Sequence, residues 1–258
     1  MHVPRLIALD MDGTLLDPSG RVPDDFWPLA DTARERGITI APASGRQLAT
    51  LQAMFPGFDT FIAENGAVVW HGGRVVSTTA LPAQPVQRLL AALPDAPFAA
   101  HAVVCAPEVA ATAPLPPVVD AEVDKYYASR ATLHDVPPAT TVKIALYVES
   151  DAERDALGWA REVVPELRAV VSGAHWLDLM HPDADKGKAL RELAVALDVP
   201  MPATAAFGDY LNDLGMLEAA GHAVAMGNAH DDLKAAADKV VGTNAEHAVV
   251  ARLAQWLK

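Results

Sequence analysis

The chain has 258 residues, 51% of them hydrophobic and 21% charged, which suits an α/β domain with a second module and does not suit a disordered chain. A formal net charge of −13 with no run of Lys or Arg argues against a nucleic-acid partner bound through its phosphates, while leaving room for a local basic pocket. Cys105 is the single cysteine, so an internal disulfide and a cysteine-based metal site are excluded, and it reads as a buried thiol.

Leu6 to Leu9 is an apolar run ending at an acidic turn, the pattern of a buried parallel strand. Asp10 and Asp12 fall where the apolar core of a signal peptide would lie, so the expected location is cytoplasmic. Asp24 to Arg36 has helical composition, with Gly37 at the capping position. Ile38 to Ala41 reads as a second strand closed by Pro42 and the Ser44-Gly45-Arg46 loop. A short helix over Gln47 to Met54 and a strand over Thr60 to Ala63 follow. Val68 to Trp70 and Arg74 to Val76 flank His71-Gly72-Gly73, a hairpin signal.

From about Leu81 to Asp178 the pattern changes. Ala99 to Val119 is weakly polar but broken by His101, Glu108 and prolines, so no membrane span is expected. Ala111 to Thr141 is proline-rich and carries no assignable element. Val142 to Val148 reads as a strand. Ser150-Asp151-Ala152-Glu153 has the form of a capping box opening a helix to Val164, and His175 to Leu179 reads as another strand.

Strand–helix alternation then resumes. Helices are expected at Gly187 to Leu197, Asn212 to Ala220, Asp231 to Ala237 and Glu246 to Leu257. Strands are expected at Ala203 to Phe207, His222 to Ala225 and Lys239 to Val241. The expected fold is α/β: a doubly wound, Rossmann-like parallel-sheet core formed by residues 1–81 and 179–258, with an α/β module at 82–178 inserted as a cap.

Four motifs sit just after predicted core strands or at the start of a core helix. They are Asp10-Met11-Asp12-Gly13-Thr14, Ser44-Gly45-Arg46, Lys186, and Gly208-Asp209-Tyr210-Leu211-Asn212-Asp213. In an open parallel sheet the carboxyl ends of neighbouring strands form the ligand crevice, so these residues are expected to meet there. Several carboxylates in one crevice need a counter-ion, and an oxygen-only set favours a hard cation, with Mg²⁺ the first choice. Asp10 can then attack phosphorus, and Asp12 can protonate the leaving oxygen and later accept a proton from water. Gly13 allows a turn whose N–H faces the phosphate, Ser44 offers a hydroxyl and Lys186 a full charge, while Asn212 can donate from its side chain. Asp209 and Asp213 complete the metal site.

Together and in this order, these motifs resemble the four signature motifs of the haloacid dehalogenase superfamily. Glu64-Asn65-Gly66-Ala67, Asp185-Lys186-Gly187-Lys188-Ala189-Leu190, Gly208 to Leu217 and Ala225-Met226-Gly227-Asn228-Ala229 are similar to the Cof-type subfamily, which carries a large α/β (C2-type) cap between the second and third motifs. The resemblance spans nearly the whole chain. It implies Asp10 as nucleophile and metal ligand, and Asp12 as acid/base whose backbone carbonyl also binds Mg²⁺. It further implies Ser44 and Lys186 on the phosphoryl group, Asp209 as a ligand, and Asp213 supporting the metal directly or through water. The implied activity is hydrolysis of small phosphorylated metabolites, sugar phosphates among them. Transfer of the phosphoryl group to a sugar hydroxyl, and a non-catalytic phospholigand-binding protein, are the alternatives; intact Asp10, Asp12 and Asp209 speak against the latter. One departure is Asn244-Ala245-Glu246-His247-Ala248-Val249, which lacks the glycine often found before the final helix.

Other features have plainer readings. Asp10-Met11-Asp12-Gly13 is not a calcium loop, since glycine is fourth and Arg21 stands where the bidentate Glu belongs. Asp185 to Lys188 is not a P-loop, because Pro182 and Ala189 replace required residues. Arg46 either contacts substrate or holds its loop through a carboxylate. Asn65 reads as a turn residue more than a ligand. Lys125, Tyr126, Tyr127, Arg130 and Lys143 in the insertion read as core and surface, although the placement of the insertion would suit a lid. His134, His175 and His181 lack metal-ligand spacing and read as structural. Oligomeric state has no sequence signature here.

Overall fold

The computed structural model describes residues 3–133 and 136–258, so His134 lies outside the described residues. Two compact units emerge, one formed by Met1–Gly45, Asp59–Ser77 and Asp185–Lys258, the other by Arg46–Phe58 and Thr78–Ala184. In chain order the elements begin β1 (Leu6–Asp10), α1 (Phe26–Glu35), β2 (Thr39–Ala43), α2 (Leu48–Met54), β3 (Thr60–Ala63), β4 (Val68–His71) and β5 (Arg74–Thr78). The middle of the chain supplies α3 (Ala83–Ala92), β6 (Ala100–Cys105), β7 (Ala110–Thr112), α4 (Pro117–Asp124) and β8 (Arg130–Thr132), then β9 (Lys143–Val148), α5 (Leu157–Val163), β10 (Arg168–Gly173) and β11 (Trp176–Met180). It closes with α6 (Lys186–Ala196), β12 (Thr204–Gly208), α7 (Leu214–Ala219), β13 (His222–Ala225), α8 (Asp231–Ala236), β14 (Lys239–Val240) and α9 (Ala248–Trp256).

The first unit is built on an eight-stranded sheet in the order β14-β13-β12-β1-β2-β3-β4-β5. Six strands, β14 through β3, run parallel; β4 turns back antiparallel on β3. All five residues of β1 are buried, as are all five of β12. Each fully buried Leu or Ile among them contributes about 1.5–3 kcal/mol. From β1 the chain steps to β2 in one direction across the sheet, whereas β12, β13 and β14 step in the other. Right-handed crossovers therefore put α1 and the α7–α8 pair on opposite faces. The sheet is doubly wound as the sequence pattern requires, and the β4–β5 turn has Gly72 and Gly73 at φ 59° and 81°, the left-handed pair of a tight hairpin.

Pro42 does not end β2, which runs on to Ala43. The Thr39 N–H donates to Arg5 O on the β1 side, and the Ser44 N–H donates to Ile62 O on the β3 side. Backbone direction alternates along a strand, so the N–H that Pro42 lacks belongs on the β3 side, where pairing is confined to Ala43 and Ile62.

In the second unit a six-stranded sheet, β10-β11-β9-β6-β7-β8, is antiparallel except between β7 and β8. Ala102, Val104, Ile144, Leu146, Val148, Leu177 and Leu179 form a core with Val86 and Leu89 of α3 and Ala156 and Ala160 of the α5 segment. Cys105 is buried, as expected. The stretch without assignable elements contains α4, which starts on Pro117; proline opens a helix readily because its first N–H positions need no partner. The cap of the next helical segment is Asp151, not Ser150. The Asp151 carboxylate accepts from the Arg154 N–H at 2.8 Å, while Ser150 Oγ donates to Asp155. A carboxylate one residue later thus takes over the role expected of the serine. Among the described residues, no helix is long and apolar enough to cross a membrane.

Candidate active site

Asp10 ends β1 and pairs in register with Ala43, so Ser44 follows directly on the neighbouring strand. On the other side of β1, Leu9 pairs with Phe207, and Asp209 comes immediately after β12. These three residues therefore stand at the carboxyl edge of the sheet, where β1 is flanked by strands that wind in opposite directions. That is the crevice position of an open α/β sheet.

Lys186 is brought there by the way α6 begins. Asp185 caps the helix, its Oδ1 accepting from the Gly187 and Lys188 N–H groups at 2.9 Å each. A Cβ on Gly187 would run into the Gly215 carbonyl of α7, and a Cβ on Gly215 would run into the Asp185 carboxylate. Two glycines thus let the two helices close on one another and fix the first turn of α6. The Lys186 Nζ then donates to Asp10 Oδ1 and Asp213 Oδ1, both at 2.6 Å, with its side chain wholly buried. Asp213 Oδ2 accepts from the Asp209 and Tyr210 N–H groups at 3.1 and 3.3 Å.

The electrostatics follow from this crowding. Burial, and then the adjacent Asp213 carboxylate, push the Asp10 carboxyl up to about 8 even with the Lys186 ammonium against it. Burial and Asp213 push Asp209 up to about 6, with the Thr14 hydroxyl acting in the other direction. Burial opposes the Lys186 charge, but Asp10 and Asp213 together outweigh it and hold the ammonium above the usual lysine range.

Between Asp10 and Leu16 the chain makes a type II turn, with Asp12 at φ −75°, ψ 123° and Gly13 at φ 78°, ψ −5°. Only glycine takes that second position without strain, and a Cβ there would also strike the Asp209 carboxylate. Thr14 Oγ1 donates to Asp209 Oδ1 at 3.3 Å. Carboxylate oxygens of Asp10, Asp209 and Asp213 lie within 4.8 Å of one another. One ammonium faces three carboxylates, and Asp10 is held up towards its protonated form. The residues present therefore fit a divalent cation, and an all-oxygen set fits a hard one. The Asp12 side chain is exposed beside this group and is not one of the three.

The remaining candidates divide. Ser44 is buried, and its carbonyl accepts the Asn65 N–H at 2.9 Å. Asn65, at φ 55°, occupies a short turn, and its Oδ1 accepts from Asn212 Nδ2 at 3.4 Å, so Asn65 bridges the second motif, through its backbone, to the fourth, through its side chain. Arg46 belongs to the second unit, with Nη1 3.7 Å from Met54 Sδ. Within that unit Tyr127 and Lys143 are buried, Tyr126 is about half exposed, and Arg130 pairs with Asp120 and Asp124. Lys143 lies inside, with Asp178 at 3.9 Å. His175 stacks on Tyr147, and the His181 ring nitrogen accepts the Asp183 N–H; both are structural. Asp185 carried no role in the sequence reading, although an Asp directly before a helical run is a capping signal that could have found it.

A family model described as haloacid dehalogenase-like hydrolase matches residues 7–253. "Phosphatase YwpJ" of Bacillus subtilis is 31% identical, with 95% of this chain and 97% of that protein covered. "Pyridoxal phosphate phosphatase YbhA" of Escherichia coli is also 31% identical, over 93% and 94%. A solved haloacid dehalogenase-like hydrolase from B. subtilis superposes with a TM-score of 0.77 at 29% identity, covering 97% of this chain and 99% of that one. Fold and similarity agree: the chain belongs to the haloacid dehalogenase-like hydrolases, and within them to the Cof-type phosphatases.

Proposed function

We propose that this enzyme is a Mg²⁺-dependent phosphomonoester hydrolase of small phosphorylated metabolites, sugar phosphates among them, acting in the cytoplasm through a phosphorylated Asp10. The observation that carries this reading is the buried Lys186 ammonium donating to Asp10 at 2.6 Å, next to an acidic group able to hold a cation. Asp10, at the end of a rigid buried strand, attacks phosphorus. Lys186 orients it and, with its third N–H, takes an oxygen of the transferring group. The Gly13 N–H, the Ser44 hydroxyl and the Asn212 amide add donors around the same oxygens. Asp12, on the turn two residues on, protonates the leaving oxygen and then draws a proton from the water that releases phosphate. Asp10, Asp209 and Asp213, with the Asp12 carbonyl, would hold Mg²⁺, which would supply the positive charge that lets two anions approach. The acceptor is water in this reading, in keeping with relatives named as phosphatases.

Purified protein should turn over p-nitrophenyl phosphate in Mg²⁺ and stop on addition of EDTA. Acid quenching during turnover should leave a phosphoryl group on the Asp10 peptide, detected by mass spectrometry. Asp10→Asn should fold and show neither turnover nor label, because an amide is a poor nucleophile. Wild-type turnover in Asp10→Asn would sink the mechanism.

A further inference from the structure

The motif containing Asn228 enters the family resemblance but has no part in the chemistry above. In the structure Asn228 Nδ2 donates to the Gly13 carbonyl at 2.8 Å. Its Oδ1 accepts from the Asn244 N–H at 3.1 Å, and Asn244 Nδ2 donates to the Leu16 carbonyl at 2.9 Å. The two asparagines come from the loops before α8 and α9, and together they hold both ends of the segment following Asp12. The amide orientation is fixed by its partners: a carbonyl on one side demands the NH₂ and an N–H on the other demands the oxygen. Aspartate would be wrong here, since it would set an anionic oxygen against the Gly13 carbonyl.

We infer that Asn228 is a positioning residue for Asp12, holding the Gly13 carbonyl so that the Asp12–Gly13 turn keeps its geometry through the reaction. The inference rests on the reading of Asp12 as the acid/base. On the site side the turn is held by the Thr14 hydroxyl on Asp209 and closed on itself by the Leu16 N–H to the Met11 carbonyl at 2.9 Å. On the outer side the tie to Gly13 is Asn228. Without it the Gly13 carbonyl loses its outer partner, the turn gains freedom to shift, and the Asp12 carboxyl moves with it. A displacement of about 1 Å at an acid/base group costs on the order of 10²-fold in rate. Asn228 is exposed, so its removal leaves the buried core intact.

The test compares wild type, Asn228→Ala, Asn228→Asp, Asp12→Ala and the Asn228→Ala/Asp12→Ala double variant. Two esters are used with Mg²⁺: p-nitrophenyl phosphate, whose leaving group needs little protonation, and glycerol 2-phosphate, which needs it. Asn228→Ala should lower kcat on glycerol 2-phosphate by roughly 10-fold or more and on the nitrophenyl ester by much less, with KM and Tm little changed. Asn228→Asp should be at least as slow. In the Asp12→Ala background, Asn228→Ala should cost nothing further, because the group it positions is gone. Equal losses on the two esters, wild-type kcat in Asn228→Ala, or full additivity with Asp12→Ala would overturn the inference while leaving a slow Asp12→Ala and the acid/base reading intact. Wild-type turnover of glycerol 2-phosphate by Asp12→Ala would overturn the acid/base reading itself.

Discussion

Lys186 Nζ and Asp213 Oδ1 meet at 2.6 Å with both side chains completely buried, and the same ammonium reaches Asp10 at an equal distance. The second oxygen of Asp213 is taken by two backbone N–H groups at the start of the turn leading into α7. Asp213 therefore holds the lysine in place and at the same time shapes the loop that carries Asp209. A single carboxylate couples the third motif to the fourth.

Replacing Lys186 with Met should destabilise the protein by about 3–5 kcal/mol, because Asp10 and Asp213 lose the cation that offsets their burial. Urea unfolding of Lys186→Met against wild type measures it. Activity should disappear as well. An unchanged unfolding midpoint would mean that the ammonium contributes nothing to the folded state.

Asp12→Ala should slow hydrolysis of alkyl phosphates by ~10²–10⁴-fold, and the loss should shrink for esters with acidic leaving groups. A series of aryl and alkyl phosphates gives the dependence directly. Parallel rates across the series in wild type and variant would argue against an acid at this position.

Mg²⁺ should raise Tm, since a cation that binds the folded acidic group and not the unfolded chain stabilises by about 2.7 kcal/mol at a hundred times its Kd. Asp209→Asn should blunt the shift. Differential scanning fluorimetry across a Mg²⁺ titration reads this without any substrate, and an equal shift in wild type and Asp209→Asn would remove Asp209 from the ligand set.

Asp151→Ala should cost about 0.5–2 kcal/mol, the usual effect of losing an N-cap, whereas Ser150→Ala should cost less. Denaturant melts of the two variants decide between them. A larger loss for Ser150 would reinstate the serine as the cap.

The core of the first unit was legible because buried parallel strands leave continuous apolar runs, as in Leu6–Asp10 and Thr204–Gly208. The motifs were legible because chemistry in such a fold sits at strand ends. Much of the second unit was not. β6 and β7 are rich in alanine, which has little strand preference, and Pro117 looks like a breaker when it is a helix start. Nor could spacing show that Asp213 would face Lys186, since both residue types at a helix start are more often solvated. The missing glycine before α9 has a simple counterpart: His247 adopts the left-handed conformation itself, at φ 52°.

The central place of β1 has a consequence for how the protein is made. Its neighbour β2 follows soon after it in the chain, but β12, which pairs Thr204 with Leu6, is synthesised only after the whole of the second unit. A nascent chain thus carries an apolar strand with one open edge while the ribosome works through Thr78 to Ala184, and such edges are templates for pairing with other chains. The strands β6 to β11, all in one continuous stretch, have their partners before β1 has its second. For the whole of that interval the open edge of β1 is the place where a growing chain is exposed to wrong pairing, a hazard that ends only when β12 emerges and docks.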